Sequence, residues 1–473
     1  MKALFWVFLA LLLATFYHRI HHFDEAWLAE QAYWLVHDGR VRSELFCGLN
    51  GWEDQLFIYH KLFIYFSAAW QWAFGFSLLA GKTYSLLWAV LMGVLLLGFL
   101  RQQDIDNQYV RLGMVLYVAN GLVIEFSFVY RPETMCVAFG FASFWLLTTR
   151  RPLWSGVLAG LAVLTHLNGL CFVLAGGGWL LWYRQPRQAV SFGLLAGTLA
   201  SLYLLDVWLA NGWAMLLMQW QNEPALAHLT TLGDKLKDTF HALKPARLMA
   251  ELGLLGLGTY WLTRSVGRRR SRSQPVGRYL ALLGAAHILT NHSTAIQYDL
   301  QFVPFLCAFV ALRVAAWQPD NQPKRLIWAW RMLLGVYLLA GLYRTGYLIV
   351  TNVTSPPLAV MNAQMAALIG RPGSEVMAPV DFFYEQIGHY NIRCIDRHLG
   401  GFFAPMHYGA LPSRNSLFQM AEREGFAAVI TYDGKGLGTA LADTRPLPDS
   451  LNHIGHYHRV YQDCWNSLYL PDN

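Results

Sequence analysis

Residues 3–17 read ALFWVFLALLLATFY, and residues 21–27, after three intervening positions, read HHFDEAW. The first run is apolar enough for a membrane helix, and because no cleavage site of small residues follows it, we expect an uncleaved first span. The second run places two adjacent carboxylates, Asp24 and Glu25, at the mouth of that helix. Charge at this depth is costly, so the pair indicates either a helix cap or a functional site.

The composition extends the apolar pattern to most of the chain. The 473 residues are 55% hydrophobic and 14% charged, with a mean hydropathy of +0.31. Soluble domains carry about 25% charged residues, so this deficit predicts a polytopic α-helical membrane protein. About eleven apolar stretches approach the roughly 20 residues that a spanning helix needs. They cover residues 3–18, 79–100, 108–126, 132–149, 153–167, 168–183, 190–210, 247–263, 279–291, 300–316 and 327–350.

Basic residues predict the orientation of these spans. With the N-terminus in the cytoplasm, Arg150-Arg151, the cluster at 264–272 and Lys324-Arg325 all fall in cytoplasmic gaps, as the positive-inside rule requires. The net charge of +7 is therefore distributed along membrane edges, which argues against a nucleic-acid partner. We expect an integral protein surrounded by membrane lipids, in a bacterial inner membrane, with residues 351–473 on the outer face.

The predicted outer face carries the long loops. Residues 24–39 are typical of an amphipathic helix that ends at Gly39, and residues 55–75 are typical of an aromatic helix lying at the membrane interface. A twelfth span at 55–75 is the alternative, which the arginine pattern disfavours. Residues 351–473 predict a small extracytoplasmic α/β domain, after a transmembrane domain at 1–350. Its expected strands are 375–378, 391–395 and 427–432, and its expected helices are 382–388 and 416–424.

The Asp24-Glu25 pair carries the most specific chemistry. A carboxylate here would take a proton from an acceptor hydroxyl as a general base, or stabilise positive charge on a sugar ring. The alternative is structural, since Asp24 as an N-cap with Glu25 in the first turn would stabilise a helix that begins here.

Further motifs follow the acid pair in order along the chain. They are Lys61 in the interfacial helix, Lys82-Thr83-Tyr84-Ser85 entering span two, Arg131-Pro132-Glu133 opening span four, Thr165-His166-Leu167-Asn168-Gly169 one span later, and Tyr298 with Pro304 entering a late span. In this order, residues 1–350 resemble the GT-C superfamily of membrane glycosyltransferases, closest to its family 39 type. That type includes protein O-mannosyltransferases and lipid A aminoarabinose transferases. Two departures are the absence of prolines after Lys61 and the presence of Gln297 where the family has arginine.

The resemblance implies a hexosyl- or pentosyltransferase that takes its sugar from a polyprenyl-phosphate-linked donor. The acceptor would be a hydroxyl of a lipid, glycan or protein on the outer face. Asp24 would act as the base, with Glu25 in support. Cations at the membrane surface are charge-assisted partners of such a phosphate, although long basic side chains also lie there without a ligand. The residues that would bind the donor phosphate are Lys61, Lys82, Arg131 and His166, the last with a buried structural role as its alternative.

Three more residues are site candidates. Glu125 and Glu133 flank the short outer loop between spans three and four, and an acid at membrane depth is a functional candidate. Glu133 alternatively caps its helix or pairs with Arg131. Tyr298 is a candidate through the resemblance alone.

No cofactor is expected from the sequence. A divalent metal on His21, His22 and Asp24 is the alternative, but their spacing does not match that of known metal ligands. Cys394 and Cys464 fall outside the apolar segments and would be able to pair if the outer side is oxidising.

A transporter or flippase of a lipid-linked polar solute is the rival interpretation. Such a protein would need charges deep within its spans and commonly has repeated halves. Mid-span charges are few, since Asp206, Glu251 and Arg331 lie near predicted span ends, and the two halves do not repeat. A sizeable outer domain also favours an enzyme.

Overall fold

The computed structural model describes most of the chain. The described residues are 2–16, 22–222, 231–242, 250–263, 272–290, 295–317, 322–355, 357–395, 414–432, 452–463 and 466–472. Three features predicted above therefore lie wholly or mostly outside the described residues, namely His21, Cys464 and the basic cluster at 264–272. The pairing of Cys394 with Cys464 stays a prediction for this reason.

Helices dominate the fold. In chain order, α1 to α20 are Lys2–Ala14, Phe23–Asp38, Lys61–Phe74, Leu78–Gln102, Asn107–Val118, Gly121–Phe126, Glu133–Thr148, Pro152–Thr165, Leu170–Trp182, Pro186–Ser201, Leu205–Leu209, Trp213–Gln221, Leu232–Ala242, Ala250–Leu262, Gln274–Thr290, Val303–Trp317, Lys324–Thr354, Leu358–Ile369, Phe383–Gln386 and Arg414–Glu424. Short 3-10 helices lie at Leu167–Gly169, Leu202–Leu204, Ile296–Phe302 and Val380–Phe382.

Several of these helices have the length and composition of membrane spans. Among the described residues, four helical stretches qualify: Leu78–Gln102, Pro186–Leu209, Ile296–Trp317 and Lys324–Ile369. Shorter apolar helices lie at Lys2–Ala14, Glu133–Thr148, Pro152–Thr165 and Leu167–Trp182. The predicted helical character is confirmed, whereas the number of eleven spans stays a prediction.

The predicted apolar stretches are broken into shorter helices at two places, one at a polar residue and one at a glycine. The stretch at 108–126 divides into α5 and α6, because Asn120 Oδ1 accepts hydrogen bonds from the backbone N–H groups of Leu122 (3.0 Å) and Val123 (3.3 Å) and caps a new helix. The predicted break near Gly169 is confirmed. A Cβ at Gly169 would lie 2.3 Å from the backbone carbonyl carbon of Ala162, so only glycine allows this turn to pack on α8.

The segment predicted as the first outer loop differs from the prediction at one point. Helix α2 is confirmed, and Gly39 ends it in the left-handed conformation at φ 70°. The helix expected over 55–75 begins only at Lys61. The residues before it are held in a loop by Gln219, whose side-chain Oε1 accepts from the Phe57 N–H at 2.8 Å and whose Nε2 donates to the Gln55 carbonyl at 2.8 Å.

In the described part of the chain, the C-terminal sheet has six strands. Strands β1 to β6 are Glu375–Ala378, Asn391–Cys394, Ala428–Tyr432, His453–Ile454, Tyr457–Gln462 and Asn466–Pro471. Their order is β2-β1-β3-β6-β5-β4, with β1 parallel to both β2 and β3 and the remaining pairs antiparallel. The prediction of a small α/β unit is confirmed, with β4 to β6 and α18 as elements that it missed. The expected helix at 382–388 is shorter, at Phe383–Gln386.

The two faces of this sheet have different partners. One face packs under α20, where Met377, Val429 and Tyr469 share a buried cluster with Leu417 and Phe418. The other face belongs to a buried cluster that includes residues of α2, α3 and the loop between them. The backbone N–H of Cys394 also donates to the Leu45 carbonyl at 2.9 Å. The sheet therefore lies against α2, α3 and the loop between them, close to the acid pair.

Candidate active site

The N-terminus of α2 separates the two adjacent acids. The N-cap residue is His22 and not Asp24. A helix does begin here with Glu25 in its first turn, as the capping interpretation predicted, but its N-cap lies two residues earlier than predicted. Glu25 occupies the third helical position, and its Oε2 accepts from the His22 backbone N–H at 2.5 Å, which completes a capping box. Asp24 lies between them in sequence and takes no part in the capping box.

Glu25 is buried in an ion pair with Lys82. The Lys82 Nζ donates to both carboxylate oxygens of Glu25, at 3.0 and 3.1 Å, and the Tyr130 backbone N–H donates to Oε1 at 2.8 Å. The side chains of Glu25 and Lys82 are 0% and 4% exposed. Glu25 thus joins α2, α4 and the loop before α7. This geometry favours a positioning role for Glu25, and the contact of Lys82 with a donor phosphate stays a prediction.

Arg131 connects Asp24 with Glu133. Its Nη1 pairs with Asp24, while its Nη2 and Nε lie 2.7 and 3.1 Å from Oε1 of Glu133. The pairing of Glu133 with Arg131, one of the predicted alternatives, is therefore confirmed. The Asp24 side chain is 26% exposed against 7% for Glu133, so Asp24 is the more accessible acid of this group.

Two stacked imidazoles extend the site. The rings of His60 and His166 lie 4.6 Å apart with an interplanar angle of 15°, and Tyr298 meets His166 edge-on at 5.2 Å. Burial lowers the pKa of His60 to about 4, against the opposing charge of Glu133, so this imidazole is neutral at pH 7. His60 was missed by sequence reasoning, although it directly precedes the predicted Lys61.

Lys61 and Glu125 belong to other parts of the structure. Lys61 Nζ lies 2.6 Å from Asp206 Oδ2 and donates to the Phe57 carbonyl at 2.8 Å. Burial lowers the pKa of Lys61 to about 8, although Asp206 opposes this shift. Glu125 is half-buried on the short helix α6. The predicted roles of Lys61 in phosphate binding and of Glu125 as a second acid stay predictions.

Four of the predicted site residues, Asp24, Arg131, Glu133 and His166, therefore form one group drawn from distant segments. The N-terminus of α2 supplies Asp24, the turn before α7 supplies Arg131 and Glu133, and the break between α8 and α9 supplies His166. The alternative metal site stays untested, because His21 lies outside the described residues. The group combines an accessible carboxylate, a buried guanidinium and two stacked imidazoles beside an apolar helical bundle.

Comparison with known proteins identifies the fold. No protein-family model matches the chain, and no curated protein has a matching sequence. The structure is similar to the crystal structure of ArnT from Cupriavidus metallidurans in the apo state, with a TM-score of 0.65 and 12% identity over 99% of this chain and 98% of that one. It is equally similar to the same protein bound to undecaprenyl phosphate, with a TM-score of 0.65 and 13% identity over 99% of this chain and 97% of that one.

These likenesses extend over nearly the whole of both chains. The chain therefore has an ArnT-like fold, and its long apolar helices agree with the predicted integral membrane protein. The fold that the sequence motifs implied is confirmed.

Proposed function

We propose that the chain is a glycosyltransferase that moves a sugar from a polyprenyl-phosphate-linked donor to an acceptor hydroxyl on the outer face of a bacterial inner membrane. The N-terminus would lie in the cytoplasm and the C-terminal sheet outside. The observation that carries the proposal is Asp24, an accessible carboxylate paired with the buried Arg131. Support comes from the ArnT-like fold, which in one neighbour was crystallised with undecaprenyl phosphate.

In the proposed reaction, Asp24 takes the proton of the acceptor hydroxyl as its oxygen attacks the anomeric carbon. The bond from that carbon to the phosphate oxygen breaks, and the lipid phosphate leaves from the opposite side, with inversion. The guanidinium of Arg131 has five N–H groups, and its described contacts with Asp24 and Glu133 use three of them. In this proposal the other two would donate hydrogen bonds to the donor phosphate. A donor phosphate that draws Arg131 from Asp24 would release the base only when the donor is bound.

The other residues have supporting roles in this proposal. His60 and His166, as neutral imidazoles, would donate hydrogen bonds to the sugar or phosphate, with Tyr298 holding His166 in place. Glu133 would orient Arg131, and Glu25 would fix the start of α2 through Lys82. No bound metal or cofactor is required for these steps.

The C-terminal sheet would cover the site and guide the acceptor. Its helix α19 reaches the first outer loop, where the ring of Tyr384 stacks on Phe76 at 5.5 Å. A small cleft of about 90 Å³ lies between α2 and the segment between α19 and β2, with Glu30, Trp34 and Tyr390 in its lining. In this proposal it would contact one polar group of an acceptor, and it is too small to enclose a whole sugar.

The test is Asp24→Asn in purified membranes, with Asp38→Asn at the other end of α2 as the matched control. Release of polyprenyl phosphate from a panel of labelled polyprenyl-phosphate sugars is measured, together with the amount of protein. Loss of a general base lowers turnover by about 10²–10⁴-fold. The turnover of Asp24→Asn should therefore fall at least about a hundredfold below wild type, whereas the turnover of Asp38→Asn should stay at the wild-type level. Retained transfer by Asp24→Asn would contradict the proposed role.

The same assay separates the enzyme from a transporter. Protein purified in detergent has no membrane gradient and no two sides, so a flippase would leave the donor unchanged. Release of free polyprenyl phosphate under these conditions would require a transferase or hydrolase, and formation of a glycosylated acceptor would identify the transferase.

A further inference from the structure

Three metal-ligating side chains meet at the edge of the C-terminal sheet, in a group separate from the candidate active site. His453 lies in β4, His458 lies in β5, and Asp472 directly follows β6. His453 Nε2 is 2.9 Å from Asp472 Oδ1, and His458 Nδ1 is 3.0 Å from the same oxygen. The three ligand atoms all lie within 4.8 Å of one another.

The strand register holds these side chains together. His453 and His458 are directly opposite each other in the antiparallel β4–β5 pair, so their side chains lie on the same face, with ring centroids 5.8 Å apart. Strand β6 pairs with β5 as far as Pro471, and the Asp472 N–H donates to the His456 carbonyl at 2.7 Å. Backbone hydrogen bonds therefore fix the group before any ligand binds.

We propose that His453, His458 and Asp472 bind a first-row divalent transition metal of the Zn²⁺ type. Two imidazole nitrogens and one carboxylate oxygen suit such borderline ions, whereas Mg²⁺ and Ca²⁺ prefer oxygen ligands alone. Ligands about 2.1 Å from a tetrahedral zinc are roughly 3.4 Å apart. The observed separations of 2.9 and 3.0 Å need to widen by only about 0.4 Å.

The exposure of the group supports an open coordination site. The side chains of His453, His458 and Asp472 are 63%, 38% and 39% exposed, so water can occupy the fourth position. Each imidazole binds a metal through a ring nitrogen that carries no proton, so a proton on that nitrogen moves to the other ring nitrogen or to solvent. The metal then replaces the hydrogen bonds between the imidazoles and the carboxylate.

The metal would close the edge of the sheet. Strand β4 is only two residues long and, among the described strands, is the last on its side of the sheet. A metal held by β4, β5 and the end of β6 would tie this short edge strand to its neighbours. The sequence signal is the spacing His453-Ile454-Gly455-His456-Tyr457-His458, in which the turn at Gly455, with φ 62°, brings the outer two histidines together.

The hairpin also contains its own control. His456 lies in the turn between the two ligands but meets Glu422 of α20, with Nε2 3.2 Å from Oε1. His456→Gln therefore removes an imidazole from the same hairpin without removing a proposed ligand.

The test measures zinc bound per chain in full-length, tag-free protein dialysed against Zn²⁺ in detergent. Wild type and His456→Gln should each hold one more equivalent than the double variant His453→Gln/His458→Gln. Removing a second-shell partner alone typically weakens a metal site by about 10–100-fold, so His458→Gln alone should weaken zinc binding by more than tenfold in a chelator competition.

Equal zinc content in wild type and the double variant would overturn the proposal. An equal loss in His456→Gln would also overturn it, because the effect would then belong to the hairpin and not to the ligands. If the double variant aggregates, Asp472→Asn replaces it, because it keeps the size of the side chain while removing the charged ligand oxygen. Unchanged zinc affinity in Asp472→Asn would equally count against the site.

Discussion

Replacing Lys82 by methionine tests whether the buried ion pair between Lys82 and Glu25 holds the start of α2 in place. The Lys82 ammonium lies 3.0 and 3.1 Å from the two oxygens of Glu25, and both side chains are buried. Methionine keeps most of the volume of lysine but removes the charge. Glu25 would then be a buried carboxylate without its cation.

The expected cost follows from this geometry. Two unit charges about 3 Å apart attract by roughly 5 kcal/mol at an effective dielectric constant of about 20. Removing one member of a buried pair typically costs about 3–5 kcal/mol, because the other charge is left uncompensated. The N–H groups of His22 and Tyr130 still donate to Glu25, so we expect the lower end of that range, about 3 kcal/mol. Glu25→Gln/Lys82→Met removes both charges and should recover most of the loss.

Hydrogen exchange measured by mass spectrometry reports this change locally. The Tyr130 N–H donates to Glu25 at 2.8 Å, so its exchange depends on the opening of this contact. A loss of about 3 kcal/mol corresponds to exchange faster by roughly a hundredfold or more. Peptides from β3 should not change and serve as the internal control. Unchanged protection at Tyr130 in Lys82→Met, or a double variant worse than the single, would refute the reasoning.

Three further predictions concern packing, geometry and pH. Gly169→Ala should lower both the thermal midpoint and the rate of transfer, because the added Cβ would lie 2.3 Å from the backbone of α8. Gly177→Ala is the control and should match wild type, because its Cβ would have no neighbouring atom within 4 Å. Equal effects of the two substitutions would contradict the packing argument. Arg131→Lys should lower transfer at least about tenfold despite its charge, because an ammonium cannot hold two carboxylates in the guanidinium geometry; turnover near wild type would count against this role. Burial lowers the pKa of Lys61 from 10.5 to about 8. Between these pH values the unfolded chain binds more protons than the folded chain, so the stability of the folded state should rise with pH. The thermal midpoint of Lys61→Met should lack this rise, and a variant that keeps the rise would exclude Lys61 as its source.

Apolar run length predicted the helices well because it depends on local composition alone. The interfacial helix was placed too early because its true start depends on Gln219, which lies far along the chain and binds the backbone of Phe57. Strand β5 escaped prediction for a different reason. Its sequence, Tyr457–Gln462, is largely polar and half-buried, so it lacks the alternation of apolar residues by which a strand is recognised.

The order of motifs selected the candidate site residues but did not indicate how they pair. Arg131 and Glu133 are neighbours in sequence, and their pairing was one of the expected alternatives. The stacking of His60 on His166 joins two segments that only the tertiary fold brings together, so no local spacing indicates it. Lys61 shows the converse, since its neighbour His60 contacts His166 while Lys61 itself pairs with Asp206.

The different positions of Asp24 and Glu25 follow from helix geometry. Successive residues in an α-helix are separated by about 100° around the axis, so two adjacent acids cannot face the same partner. In a capping box, the residue at the third helical position folds back onto the N-cap backbone. With His22 as the N-cap, that residue is Glu25, which is thereby directed inward to Lys82, while Asp24 is directed to Arg131 and solvent. The position of the N-cap therefore determines which carboxylate is left accessible for the proposed role of base, because an N-cap one residue earlier would place Asp24 at the third helical position in place of Glu25.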